Sequence, residues 1–452
     1  MFSILSSSAV LCLMAWRLWR FTIGPSLHPD EPKEVPYWVP CIKNFDGSRS
    51  PFRFTLFGAP LYIISDPVDV AEINRHSTAF TLEPLAKEML LKFGISQCST
   101  DRLLLPTPNA PRAGPLHATD TIIDFYRQHI SPGDKLDSFV EGDIIPRIAA
   151  LVNGVVRAYY GEIVLKIQPD FAGRYMDWER TSWKFLVGLP RFLSKDMIAA
   201  KDDMINFFVE YFTLSPEVRG HSNFWVSSVE GLLRDLDLTN EEIARMFMLH
   251  TSSIIGNMYK LSFWLVAHIL SNRDLLHSIT LEIQPAVNPQ TQAVDHTYLT
   301  ENCPILDSLY SEVLRLIVTS PMTRKVSSTT TVGGKTLKEG NNVLIIYRQL
   351  HLDRDTWGPT PELLQPDRFL RDKALKTKVA YRPWGGGKHV CPGRFLAKKA
   401  VFVFVALLLG QYEISMDNVG EQPFPRADLA KASGVASIAD GEDVMISLRR
   451  VE

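Results

Sequence analysis

The spacing of hydrophobic and polar positions changes several times along the 452-residue chain, and each change predicts an element. The first is a nearly unbroken apolar run from Met1 to Trp16, closed by Arg17 and Arg20, with Trp16 and Trp19 suited to a headgroup interface. It predicts a membrane anchor over residues 1–21. The run is short for the about 20 residues of a full span, so an interfacial helix and a cleaved leader are its rivals. Positive charge that follows the apolar run leaves the rest of the chain on the cytoplasmic side. Pro25, Pro29, Pro32, Pro36 and Pro40 then predict a stiff, extended, non-helical connector over residues 22–40, with the globular domain occupying 41–452.

Strand patterns follow in Phe52 to Phe57 and Leu61 to Ile64, split by a turn at Gly58-Ala59-Pro60, and Asp66-Pro67 opens a helix. From about Leu116 to Ser278 the period is helical, which predicts a mainly α protein with a small β part. Thr239-Asn240-Glu241-Glu242 reads as a capping box, and Ile243, Met246, Phe247, Leu249, Ile254, Ile255, Met258, Leu261, Phe263, Trp264, Val266 and Ile269 follow it on nearly every face. At 1.5 Å per residue, about 30 residues make a central helix some 45 Å long. Arg245, His250, Asn257, Lys260 and His268 interrupt it, which argues against a second membrane span. The last strand is predicted at Val444 to Leu448.

Composition narrows the function classes. With 48 Lys+Arg against 50 Asp+Glu, the chain has no basic field to hold a phosphate backbone, so nucleic acid is excluded as a partner. The five cysteines, Cys12, Cys41, Cys98, Cys303 and Cys391, form no C-x-x-C pair, a usage that suits a reducing compartment.

The densest chemistry lies in Tyr381-Arg382-Pro383-Trp384-Gly385-Gly386-Gly387-Lys388-His389-Val390-Cys391-Pro392-Gly393-Arg394. Three glycines allow a tight backbone and close approach to a flat ligand. Cys391 stands at an expected N-cap with Pro392 as first helical residue, and the apolar helix that follows is expected to stop at Gly410. A helix N-terminus stabilises a thiolate, and turn N–H groups can bond to its sulfur.

This segment resembles the haem-binding loop of the cytochrome P450 family, F-G-x-G-x-[R/H]-x-C-x-G, with Trp384 for the usual Phe. Glu312-Val313-Leu314-Arg315 resembles the family's E-x-x-R, and Pro366-Asp367-Arg368-Phe369 its P-E-R-F. The resemblance implies the P450 fold, haem b (iron protoporphyrin IX) with Cys391 as the axial iron ligand, and a structural ion-pair network of Glu312, Arg315 and Arg368. It implies that His389 and Arg324 neutralise haem propionates and that Trp384, Gly387 and Gly393 border the cofactor. Near Leu116 to Arg127, where the family often carries a haem-contacting Trp and Arg, only His117, Tyr126 and Arg127 are present.

On the central helix most members of that family carry an acid-alcohol pair that delivers protons. Here the chain reads Ser252-Ser253-Ile254-Ile255-Gly256-Asn257-Met258, with Met258 at the expected alcohol position and Asn257 in place of the acid. Gly256-Asn257-Met258 followed by Phe263-Trp264 is similar to the branch that holds sterol 7α- and 12α-hydroxylases and prostacyclin synthase. That branch contains both oxygenases and an isomerase. The resemblance therefore implies two functions. One is a monooxygenase of fungal secondary metabolism that oxidises an apolar sterol-like, terpenoid or polycyclic metabolite, using NADPH through a separate reductase at the endoplasmic reticulum membrane. The other is a redox-neutral haem-thiolate isomerase or dehydratase. Ile255, Gly256, Asn257 and Met258 are expected on the distal side, Ser320, Pro321, Met322 and Thr323 beside the same pocket, and Lys388, Arg394, Lys398 and Lys399 toward the reductase.

Overall fold

The computed structural model describes residues 14–34, 49–56, 59–105, 117–145, 151–220, 222–288, 290–291, 293–319, 321–416, 424–429 and 434–450. The chain divides into two units, one made of Met1–Ala86, Ser320–Glu362 and Thr377–Val390, the other of Lys87–Thr319, Leu363–Lys376 and Cys391–Glu452.

The first unit is built on a six-stranded sheet. Strands β1 (Lys33–Glu34), β2 (Phe52–Leu56) and β3 (Ala59–Ile64) lead into helix α1 (Pro67–Arg75) and strand β4 (Phe80–Thr81). Strand β5 (Pro321–Val326), the hairpin β6 (Thr330–Val332) and β7 (Lys335–Leu337), and β8 (Asn342–Ile346) follow. The sheet order is β1-β2-β3-β8-β5-β4, with β1 parallel to β2 and β3 parallel to β8. β2 and β3 pair antiparallel with Phe52 opposite Ile63. Helix α1 starts where Asp66 caps it, its side chain accepting from the N–H groups of Val68 and Asp69, and Pro67 occupies the first turn, where no N–H is needed.

The proline-rich connector is not uniformly extended. Gly24–Leu27 is a helical turn that accepts Pro25 near its start, and Lys33–Glu34 already belongs to the sheet as β1. Glu34 is buried and takes charge-assisted bonds from Arg20 at 3.0 Å and Arg53 at 2.7 Å, which fixes the connector to β2. Among the described residues no helix is long and apolar enough to cross a membrane. Residues 1–13 of the expected anchor lie outside the described residues, while Trp16, Leu18 and Trp19 are exposed.

The second unit is helical. Its main elements are α2 (Ala118–Ile130), α3 (Leu151–Tyr160), α4 (Phe171–Thr181), α5 (Lys195–Thr213), α6 (Phe224–Asp235), α7 (Asn240–Leu270), α8 (Pro304–Ile317) and α9 (Arg394–Gln411). The expected capping box opens α7: Thr239 accepts from the Glu242 N–H, and the Glu242 carboxylate accepts from the Thr239 N–H. The helix then runs for 31 residues, buried over most of its length. Trp225 of α6 and Phe247 of α7 meet edge to face, and Tyr160 of α3 bonds to Thr251 of α7 at 2.6 Å. The C-terminal strands are β9 (Tyr412–Met416), β10 (Ala427–Asp428), β11 (Ser437–Ile438) and β12 (Ile446–Arg450), so the last strand lies two residues later than its apolar pattern placed it. A bridge between Val318 and Val435 ties the segment after α8 to the turn between β10 and β11.

Candidate functional site

Cys391 lies in the helical unit, three positions before the first residue of the helix it was expected to cap. Helix α9 starts at Arg394 with Gly393 as N-cap, and it runs past Gly410 to Gln411, directly into β9. The reason for the later start is a local turn. Arg394 Nη1 donates to the Cys391 carbonyl at 2.8 Å, and the backbone N–H groups of Gly393 and Arg394 are directed to the Cys391 sulfur. A side chain at Gly393 would meet that sulfur at ordinary contact distance, 3.6 Å. Burial pushes the Cys391 thiol up, opposed by the two N–H groups and by the Arg394 charge. Tyr126 of α2, half-buried and bonded to His250 of α7 at 3.3 Å, has its hydroxyl pKa raised by desolvation. Arg127 is paired with Asp124 on its own helix.

Also in the helical unit, Glu312, Arg315 and Arg368 are brought together. Arg315 forks onto Glu312 through Nε at 2.8 Å and Nη2 at 2.7 Å, and Arg368 Nε reaches the same carboxylate at 3.1 Å. All three are buried, and the Gln365 N–H adds a further bond to Glu312. Such a pair on an exposed helix contributes little; here the charges are removed from water and paired with one another.

Gly256, Asn257 and Met258 do not share a face, because successive helical residues are turned by about 100°. Asn257 Oδ1 accepts from the Val435 N–H at 2.8 Å, while its amide nitrogen makes no hydrogen bond to a described residue. Met258 is buried. Gly256 faces α4, where a side chain would come within 2.8 Å of the Tyr175 hydroxyl. Ser253, one turn earlier, is exposed in the middle of this otherwise buried helix, so α7 leaves an opening along the face that Ser253 and Asn257 border.

The sheet unit holds the remaining candidates. The glycines of the loop are packed against protein: Gly387, with φ +65°, sits where a side chain would be 2.8 Å from the Asn74 carbonyl of α1, and Gly385, with φ +78°, is crowded by Met322. His389 ends the 3-10 turn Gly387–His389, and Trp384 is partly buried beside it in sequence. Arg324 is on β5 and 4% exposed; it donates to the Thr323 carbonyl at 3.0 Å and faces Tyr347, both neutral groups. Burial lowers its pKa, and no carboxylate among the described residues pairs with it. Arg382 is a second desolvated guanidinium facing Tyr347, bonded to the Tyr381 carbonyl. Sequence reasoning quoted Arg382 but gave it no role; its place beside Pro383 in the loop was the available clue.

Ser320 lies outside the described residues; Pro321, Met322 and Thr323 form the start of β5. Of the basic residues near Cys391, Lys398 is paired with Asp307 at 2.8 Å and Lys399 with Asp137 at 2.7 Å, so their charge is largely neutralised within the unit. Lys388 is exposed.

A half-buried thiol with N–H groups at its sulfur suits a metal, and, taken separately, a buried arginine that no carboxylate among the described residues pairs with suits an acidic group. The comparisons agree in family. The family model for cytochrome P450 matches residues 210–436. A cytochrome P450 monooxygenase of Gibberella zeae is 26% identical over 47% of this chain and 43% of its own length. The cytochrome P450 monooxygenase poxD of Penicillium oxalicum is 24% identical over 86% of this chain and 88% of its own. Human prostacyclin synthase is 28% identical over 47% of this chain and 46% of its own, so several matches span less than half of the relative. The chain belongs to the cytochrome P450 family.

Proposed function

We propose that this protein is a haem-thiolate monooxygenase that inserts oxygen into an apolar, sterol-like, terpenoid or polycyclic metabolite, with electrons from NADPH delivered by a separate reductase. The observation that carries the reading is the Cys391 turn, where burial and two backbone N–H groups surround a sulfur that no protein partner oxidises or bridges among the described residues. Family membership implies a haem iron cofactor. When bound, that group would supply the redox chemistry of dioxygen, tuned by a thiolate ligand.

The residues do the rest. Cys391 would ligate the iron as thiolate, with the Gly393 and Arg394 N–H groups stabilising its charge. Arg324 would bind a propionate, exchanging an uncompensated buried charge for a charge-assisted hydrogen bond, and His389 would serve the other; Trp384, Gly387 and Gly393 would border the ring. Asn257 would present its amide to the substrate side, and the apolar surface of α7 would exclude water from it. Lys388 and Arg394 remain as steering charges for an acidic flavoprotein, fewer than the sequence cluster suggested. Exposed Trp16, Leu18 and Trp19 support membrane association, which we place at the endoplasmic reticulum with the catalytic domain in the cytoplasm.

A second reading rests on Asn257 and on the match to prostacyclin synthase: a redox-neutral isomerase or dehydratase of an oxygenated or peroxide substrate. Deletion of the gene in its source, with accurate mass of the compound that accumulates and the compound that disappears, separates the two. A gain of one oxygen or loss of two hydrogens is the expected result; identical masses would overturn the oxygenase reading.

A further inference from the structure

The face of α7 that meets α4 is polar where its neighbours are apolar. Glu179 of α4 forms an ion pair with Lys260 of α7, and both side chains are largely buried, 12% and 4% exposed. Tyr175 donates to the Glu179 carboxylate at 3.3 Å and also lies 3.3 Å from the Ser252 carbonyl. Trp178 donates to the Ser252 hydroxyl at 3.0 Å. Between Ser252 and Lys260 stands Gly256, and the position its Cβ would take is 3.2 Å from the Glu179 carboxylate. The space a side chain would take is therefore filled by the Tyr175 hydroxyl, 2.8 Å from that position, with the Glu179 carboxylate beside it.

A buried ion pair is commonly no more stabilising than well-packed apolar residues of similar size, so packing alone does not account for it. Its position does point to a use. Ser252, Gly256 and Lys260 share one face of α7, and Ser253 and Asn257, on the adjoining face, border the opening described above. No Asp or Glu lies in the Ser252 to Met258 stretch. From this juxtaposition we infer that Glu179, held by Tyr175 and Lys260 against the Gly256 backbone, is the proton-holding residue of the reaction, a carboxylate supplied by α4 where α7 has none.

This inference rests on the monooxygenase reading. Insertion of one oxygen atom consumes one dioxygen, two electrons from NADPH and two protons, and the second oxygen atom leaves as water. Glu179 passes protons through ordered water past Gly256 and is reprotonated from solvent. It is a positioning residue, since it touches neither substrate nor cofactor. If protons arrive late, the same two electrons and two protons leave as hydrogen peroxide.

The test uses full-length holoenzyme with an NADPH-cytochrome reductase and the compound that accumulates on gene deletion. Wild type is compared with Glu179→Gln, with the charge-neutral pair Glu179→Gln/Lys260→Met, and with Glu179→Asp. Oxygen uptake, peroxide, product and the C–O stretching band of the reduced carbon monoxide complex are recorded. Both Gln variants are expected to keep a thiolate-type Soret band while product per NADPH falls about tenfold and peroxide rises to match. The C–O band is expected to move, and Glu179→Asp to recover part of the lost coupling. Gln variants that couple as wild type does, or an unmoved C–O band, would overturn the inference alone. Wild-type conversion without oxygen uptake would overturn the oxygenase reading and the inference with it.

Discussion

Two buried arginine environments, one in each unit, differ in one respect. In the helical unit Arg315 and Arg368 converge on Glu312, and the carboxylate also takes the Gln365 N–H. In the sheet unit Arg324 is equally removed from water but, among the described residues, meets a neighbouring carbonyl and a phenol and no carboxylate. A charge buried without a counter-charge costs several kcal/mol even after relaxation, about the stability of a whole domain's margin. The first arrangement is complete as folded and reads as architecture; the second is incomplete and reads as a place for an anion. Cys391 belongs with the second kind, since burial works against the very thiolate that its two N–H donors favour.

The largest expected effect tests that grouping at its centre. Cys391→Ser should abolish product formation and the thiolate-type Soret band of the reduced carbon monoxide complex, while far-ultraviolet circular dichroism stays close to wild type. Retention of that band would put the ligand elsewhere. Breaking the complete cluster should act on folding instead. Glu312→Gln leaves two buried guanidinium groups without their counter-charge, a loss of about 3–5 kcal/mol that urea unfolding would register as a lowered midpoint or as failure to recover folded protein. A change below about 1 kcal/mol would mean that Glu312 is not the hub that its bonds imply.

Arg324 is expected to respond in the opposite sense. Arg324→Met removes a charge that has no described protein counter-ion, so the fold itself should lose little, whereas haem transfer to excess apomyoglobin should accelerate by about ten- to a hundredfold, the equivalent of one charged hydrogen bond. A variant that unfolds readily yet keeps its haem as tightly as wild type would place Arg324 with Glu312 as architecture.

How much of this was legible in the sequence follows from whether a feature is local. The capping box at Thr239 and the 31-residue helix after it are set by spacing within one segment, and the cap at Asp66 likewise. The E-x-x-R fork is also local, three residues on one helix, although its burial is not. Tertiary contacts escaped. That Lys398 and Lys399 are spent on Asp307 and Asp137 depends on chain segments far away in sequence, and so does the approach of Glu179 to Gly256. Gly393 is the N-cap of α9 although the Cys391 sulfur takes the Gly393 and Arg394 N–H groups as a capping side chain would; the Cys391 carbonyl accepts from the Arg394 side chain, a contact that pattern alone does not weigh.

The smallest effect carries the same contrast into pH, through two buried carboxylates with opposite surroundings. Burial pushes Glu242 up, but hydrogen bonds from Ser96, Thr239 and Ser99 outweigh it and hold the pKa at about 2, from 4.5. Asp69 is pushed up from 3.8 to about 6 by burial and then by the charges of Asp66 and Glu72, with its carboxylate wedged against the Gly333 turn of β6 and β7. Glu242 therefore adds stability above its unfolded pKa that is lost as pH falls from 4.5 to about 2. For Asp69 the sign is reversed: its charged form is disfavoured in the fold, so it destabilises fully above about pH 6, and that penalty fades as pH falls toward 3.8. Asp69→Asn should thus raise the urea midpoint at about pH 7.5 by the equivalent of about 1 kcal/mol, and leave it nearly unchanged at about pH 4. Glu242→Gln should lower the midpoint at about pH 7.5, and the deficit should shrink in acid. If Asp69→Asn destabilises at the higher pH, the Asp69 carboxylate is satisfied in solution and belongs with Glu242, and charge completeness would no longer separate the helical unit from the sheet unit.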